Sequence, residues 1–269
     1  MRILIHSDYQ TLSRWVAYYV ASKINRSHPT REKPFVLGLP TGSSPVGMYR
    51  EFVKLNKEGR VSFKHMITFN MDEYVGIPKD HPQSYHYFMR RHFFDHVDIT
   101  EANVHILDGN APDLEQECET YEDKMMKIGG IDLLLSGIGS NGHIAFNEPG
   151  SSLTSRTRLK TLTYDTLVAN APFFDNDVEK VPKTALTVGV GTVMDADEIL
   201  IIINGYKKAR ALQKMMEEGV NHMWTVSMLQ LHQHAIIACD EEATMELKVG
   251  MVTYFKETEK HVMENLPEL

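Results

Sequence analysis

The sequence predicts an α/β fold with a largely parallel central sheet covered by helices. Three observations carry this reading. Seven short apolar runs recur along the 269 residues, and helical patterns lie between them. No repeat, low-complexity tract or Pro/Gly-rich linker divides the chain, so residues 1–269 are expected to form a single domain.

The elements follow in order. Ile3-Leu4-Ile5 reads as the first strand. Leu12, Trp15, Val16, Tyr19, Val20 and Ile24 then fall on one helix face at three-and-four spacing, after a cap at Ser7 or Asp8. Phe35-Val36-Leu37 is the second strand, and Ser44-Pro45, a cap followed by a first-turn proline, opens a helix expected to end at Gly59. Strands are expected at 66–69, 104–107 and 131–135, with helices over 84–97 and 114–127. Residues 160–183 are the least regular stretch and fit a lid over a site as well as an ordinary long loop. Strands at 199–203 and 235–238 follow, with helices over 207–218 and 241–256.

Composition narrows the function. Acidic residues outnumber basic ones 36 to 28, and no basic block longer than a pair stands out. That disfavours a nucleic-acid backbone or an anionic membrane as the main partner and leaves anionic small molecules open. Cys118 and Cys239 stand far apart and in no Cys-x-x-Cys pattern, so neither a disulfide framework nor a zinc cluster is expected. The apolar run at Met1-Arg2-Ile3-Leu4-Ile5-His6 is too short for a signal peptide, and 199–203 is too short to span a bilayer. A cytoplasmic protein is the expectation.

Four segments carry chemistry. Residues 137–149 place Gly137, Gly139 and Gly142 after an apolar strand and set His143 five residues before Glu148, a base and its orienter on one loop. Leu37-Gly38-Leu39-Pro40-Thr41-Gly42-Ser43-Ser44-Pro45 runs from a strand into a helix N-terminus, where free N–H groups favour an anion such as phosphate. It has neither the Gly-Lys-Ser/Thr ending of a nucleotide loop nor Gly-x-Gly-x-x-Gly, which disfavours ATP and dinucleotides. Asp72 and Glu73 follow a buried strand at the carboxyl edge of the sheet, where either can serve as a general base or merely cap a helix. Residues 184–192 read as a glycine-rich turn, and Lys207 and Lys208 stand beyond the Ile-rich strand, within reach of a phosphate or simply solvated. His92 and His96 lie four apart on an expected helix without a third ligand, and no Gly-x-Ser-x-Gly elbow is present, so metal and serine-nucleophile chemistry are not expected.

Taken together, Gly38 to Pro45, Thr68 to Tyr74, Gly142 to Pro149, Ser151 to Arg158 and Asn221 to Thr225 resemble the glucosamine-6-phosphate deaminase family over nearly the full chain. The resemblance implies a Rossmann-like three-layer α/β/α fold. It also implies conversion of glucosamine 6-phosphate and water to fructose 6-phosphate and ammonia, in amino-sugar catabolism and without an organic cofactor. The residue matching His143 would assist ring opening, Asp72 would move a proton between C2 and C1, and Glu148 would orient and charge-balance His143. Thr41, Gly42, Ser43, Ser44 and Lys208 match phosphate-binding positions. Members are often hexamers, some activated by N-acetylglucosamine 6-phosphate; Ser151, Ser152, Arg158, Lys160, Thr161 and Tyr254 match that second site.

Two positions depart from the family pattern. Asn141 stands where an aspartate is normal, and Pro172 where a lid arginine is common. Asn141 carries no charge to stabilise an imidazolium. Pro172 has no charged fork, which implies substrate binding about tenfold to a hundredfold weaker unless other groups compensate. The departures predict a slower or pH-shifted deaminase. They also fit a protein that binds the sugar phosphate without turning it over. A third reading, a 6-phosphogluconolactonase, is disfavoured by the intact Phe69-Asn70-Met71-Asp72-Glu73-Tyr74 motif.

Overall fold

In the computed structural model, which describes residues 1–269, all seven apolar runs become strands of one sheet. The first half of the chain forms β1 (Arg2–His6), α1 (Tyr9–Ser27), β2 (Phe35–Leu39), α2 (Val46–Lys57), β3 (Met66–Asn70), β4 (Asp72–Tyr74), α3 (Tyr85–His92), β5 (Val104–His105), α4 (Leu114–Lys127) and β6 (Leu133–Ser136). The second half forms β7 (Arg158–Thr161), α5 (Tyr164–Asn170), β8 (Thr184–Thr187), α6 (Val190–Met194), β9 (Ile199–Ile203), α7 (Ala209–Glu217), β10 (Ala235–Asp240), α8 (Val249–Thr258) and α9 (Lys260–Glu264).

The main sheet has the order β1-β10-β9-β6-β2-β3-β5, and every neighbouring pair is parallel. All its carboxyl ends therefore lie along one edge. Side chains alternate between faces along each strand. Leu200 and Ile202 of β9 pack with Leu12, Val16 and Phe52 of α1 and α2, while Ile199, Ile201 and Ile203 pack with Tyr121 of α4 and Leu212 of α7. The result is three layers, helix on sheet on helix. Burial on both faces is why these strands read as apolar runs rather than alternating ones.

The helices start for local reasons. The Asp8 carboxylate accepts the Thr11 N–H at 2.8 Å and caps α1, as expected. Ser44 does not cap α2; the helix begins at Val46, and the Ser44 hydroxyl turns instead to Asn204. The helix expected over 241–256 is split into a 3₁₀ turn at Glu242–Thr244 and α8. His92 ends α3 and His96 sits in a separate 3₁₀ turn, so the two do not share a helix.

A second sheet was not legible in the sequence. β4, β8 and β7 form an antiparallel ribbon in which Asp72 pairs with Thr187, and Thr187 with Arg158. Residues 184–192, expected as a turn, are β8 followed by α6. Their glycines serve close approach: a Cβ on Gly189 would stand 1.9 Å from the Ser155 carbonyl oxygen. Gly189→Ala is accordingly expected to lower stability by about 1–3 kcal/mol or more, measured by thermal unfolding; an unchanged melting temperature would refute that packing.

Residues 160–183 are more regular than expected. Thr163 caps α5, and 3₁₀ turns follow at Ala171–Phe173 and Val178–Lys180. Leu162, Leu167, Ala171, Phe174 and Val181 bury themselves with Tyr74, Phe146 and Ala185 in a small core of their own. The segment thus packs directly on the strand that carries Asp72.

Candidate active site

The carboxyl edge of the main sheet gathers the loops that follow β2, β3, β6 and β9. The chain leaves β2 toward β3 on one side and returns as β6 on the other, which opens a crevice at the point where strand order reverses.

The loop after β2 is built to meet an anion. Gly42 has φ 92°, and the backbone N–H groups of Gly42, Ser43 and Ser44 donate to no protein acceptor. The loop is held from outside: the Ser44 hydroxyl donates to Asn204 Oδ1 at 2.6 Å, and the Tyr9 hydroxyl donates to the Ser43 and Ser44 carbonyls at 3.1 and 3.0 Å. Tyr9 in turn accepts the Gly47 N–H at 2.8 Å. Free N–H groups at a helix start, with the loop shape fixed by its neighbours, form a cradle suited to an anion such as phosphate. Lys208 is half-buried, burial lowers its pKa, and its ammonium donates to the Ile138 carbonyl at 2.6 Å, on the loop after β6. Lys207 stays exposed.

Asp72 opens β4 and is 7% exposed. Burial, then the neighbouring Glu73 charge, push its carboxyl up to about 8. A carboxyl near neutrality at the mouth of a crevice is suited to taking and returning a proton.

The loop after β6 folds back on itself. Ala145 has φ 48°, a conformation uncommon for a residue with a side chain, and Asn147 pins the turn by donating to the carbonyls of Ile144 at 2.9 Å and Val188 at 2.8 Å. Thr225 braces it from the 221–225 segment, donating to the Asn147 carbonyl at 2.8 Å. This turn brings Glu148 back beneath His143. His143 Nδ1 stands 3.5 Å from Glu148 Oε2, a polar contact too long for a good hydrogen bond. Asn141 donates from Nδ2 to the same Oε2 at 3.0 Å and accepts the His143 N–H at 3.3 Å. Burial alone would raise the Glu148 carboxyl. The facing His143, Thr166 and Asn141 outweigh it and hold the group down to about 2. Glu148 is therefore an anion throughout the working pH range. Asn141 occupies the place between backbone and carboxylate with a neutral amide.

The residues matching a second site divide. The Ser151 hydroxyl is buried without a partner, and Ser152 lies on a cavity of about 650 Å³ shared with Gly150, Leu153, Thr154, Asn221 and His222. Arg158 is turned inward, donating to Asn147 Oδ1 at 2.9 Å, and Lys160 and Thr161 continue the same strand. Tyr254 is not brought to them. It sits on α8, which packs on β1 at the far edge of the main sheet, and its ring packs edge-on against Phe255. Pro172 is exposed on the 3₁₀ turn after α5.

Residues 7–238 match the family model described as glucosamine-6-phosphate isomerases/6-phosphogluconolactonase. The chain belongs to this family. A glucosamine-6-phosphate deaminase of Phocaeicola vulgatus is 67% identical over 260 residues, 97% of this chain and 99% of its own length. One of Borreliella afzelii is 60% identical over 265 residues, covering 98% and 99%. Among solved structures, a monomeric glucosamine-6-phosphate deaminase superposes with TM-score 0.85 at 39% identity, covering 90% of this chain and 98% of that one. A 6-phosphogluconolactonase from Trypanosoma brucei shares the fold, with TM-score 0.73 at 18% identity over 92% and 98%.

Within this family frame, Tyr9, Asn147 and Asn204 are supporting residues that sequence reasoning passed over. Asn204 had a signal, since it precedes Gly205 at the end of the Ile-rich strand. Tyr9 had none, because its partners lie 34 and 35 residues away.

Proposed function

We propose that this protein is a glucosamine-6-phosphate deaminase, converting glucosamine 6-phosphate and water to fructose 6-phosphate and ammonia. The observation that carries the reading is the buried Asp72 carboxyl, free of hydrogen bonds from the protein, on the same sheet edge as the phosphate cradle and His143. The full-length identity to deaminases supports it.

The cradle at Thr41, Gly42, Ser43 and Ser44, with Lys208, holds the phosphate and fixes the sugar. His143, charge-balanced by the Glu148 anion, moves the proton that opens the ring. Asp72 then takes the C2 proton and returns it at C1, which leaves an imine at C2; water adds to that carbon and the nitrogen departs as ammonia, giving the ketose. Asn141 supports Glu148 through its amide rather than by charge. No arginine stands at 172, so phosphate binding falls to the loop amides and Lys208. The 160–183 segment, packed over Tyr74, serves as the lid.

Assembly into a hexamer, activation by N-acetylglucosamine 6-phosphate at Ser151, Ser152, Arg158, Lys160 and Thr161, and a cytoplasmic setting complete the proposal. Because Tyr254 is remote from these groups within one chain, its share in that site would come from a neighbouring copy. Light scattering with and without the activator tests this; a monomer unaffected by it would refute it.

The activity test is ammonia and fructose 6-phosphate release by the unaltered chain beside its Asn141→Asp, Pro172→Arg double variant. Turnover by the unaltered chain is expected, with KM falling about tenfold or more in the double variant as a charged hydrogen bond is restored. Turnover by the double variant alone would instead identify a sugar-phosphate-binding protein.

A further inference from the structure

Glu73 is a buried carboxylate, 2% exposed, that the reaction scheme does not use. It follows Asp72 on β4 and, by strand alternation, points to the opposite face. Its Oε1 accepts the N–H groups of Tyr74 at 2.7 Å and Tyr85 at 3.1 Å; its Oε2 accepts those of Tyr85 at 2.9 Å and His86 at 3.0 Å. Tyr85 and His86 are the first two residues of α3, and the Ser84 hydroxyl accepts the next N–H, that of Tyr87, at 3.0 Å. Glu73 thus ties the first turn of α3 to the strand that carries Asp72.

The tie has a consequence at Tyr85. Its ring centroid lies 5.1 Å from that of Tyr74 and stacks at 6.1 Å on Phe146, which itself lies 6.3 Å from the His143 ring. The Tyr85 hydroxyl faces Thr41 and Tyr74. One side chain therefore packs on the Asp72 strand through Tyr74 and on the His143 loop through Phe146, with its hydroxyl on the side of Thr41 in the phosphate loop. We propose that Glu73 is a positioning residue: it anchors α3 so that Tyr85 locks these three segments in register, coupling phosphate binding to proton transfer.

The inference rests on Asp72 being the base and residues 41–44 the phosphate cradle. The charged and titratable groups around the pair are few. Glu73 feels the charge of Asp108, which is itself paired with Lys79 at 2.7 Å, and meets His86 only through its backbone N–H, the His86 ring turning its Nε2 to the Leu107 carbonyl at 3.2 Å. Asp72 feels the charge of Glu73 across the strand, and its own charge reaches the hydroxyls of Tyr74, of Tyr85 on α3 and of Tyr121 on α4.

The test is steady-state kinetics across pH, with melting temperatures, for the unaltered protein and its Glu73→Gln, Tyr85→Phe and Asp72→Asn variants. Glu73→Gln is expected to raise KM for glucosamine 6-phosphate about threefold to tenfold and to move the acid limb of kcat/KM to lower pH, since a negative neighbour of Asp72 is gone. Tyr85→Phe keeps the stacking and loses the hydroxyl; KM is expected to rise by a similar factor with the limb in place. A Glu73→Gln variant that loses only melting temperature, with KM and limb unchanged, overturns the proposal. If that variant does not fold, Tyr85→Phe decides, and a KM equal to the unaltered protein's overturns it. Full turnover by Asp72→Asn would sink the base assignment, separately from the KM readings.

Discussion

Asp72→Asn is expected to lower ammonia release about 10³-fold, within the range spanned by general acid–base groups, while leaving the fold intact. The replacement is nearly isosteric, and the site already carries a carboxyl whose burial, aided by Glu73, keeps it protonated up to about pH 8. Two pH dependences follow. In the free enzyme Asp72 becomes a competent base only as pH rises toward about 8, so kcat/KM should climb through that range. Stability runs the other way. Between the ordinary carboxyl value of 3.8 and about 8 the native state holds a proton that the unfolded chain has lost, so Asp72 makes the protein less stable as pH rises through that window. Asp72→Asn removes this penalty. Its melting temperature should gain on that of the unaltered protein from pH 4 to pH 8. This second reading separates Asp72 from the titration of the substrate amine. A variant with near-normal turnover, or one whose melting temperature tracks the parent at every pH, would contradict the assignment.

Gly139→Ala is expected to lower kcat about 10²-fold through a single methyl group, because displacing a reacting group by about 1 Å costs a factor of that order. A Cβ at position 139 would stand 2.3 Å from His143 Cε1, 2.4 Å from Nδ1 and 2.5 Å from Nε2. No side chain tolerates those distances, so the imidazole must leave its place. Gly139 is not in the left-handed region, so the backbone itself accepts alanine and the effect is steric. The displaced ring loses its contact with Glu148, which stays fixed by Asn141 and by the Thr163 N–H at 3.2 Å. Stability should fall by only about 1–3 kcal/mol, the ordinary cost of overpacking. Kinetics and thermal unfolding of the purified variant check both numbers. Normal kcat would mean that the position of His143 does not matter to turnover.

The main sheet was legible because its information is local. Six of its seven strands are buried on both faces, so β1, β2, β3, β6, β9 and β10 announce themselves as apolar runs, and the helices between them show their own periodicity; β5, at the edge, is only half-buried. The same holds for groups adjacent in the chain: Asn141, His143 and Glu148 on one loop, and Thr41 to Ser44 on another. The second sheet was illegible for the opposite reason. β4 has three residues and β7 alternates between half-buried and exposed positions, and β4 finds its partner β8 more than a hundred residues further along the chain.

Tertiary structure alone decided the rest. It set Asp72 opposite Thr187 and buried it, which moves its carboxyl toward neutrality; no neighbour in the sequence does that on its own. It brought Asn204 to Ser44 across 160 residues, spread the expected second site so that Tyr254 stands apart from Arg158, and gave Glu73 the amides of α3. Residue type and strand position follow from local apolar pattern. Burial, charge state and long-range hydrogen bonds depend on which distant segments meet, and only the fold determines that.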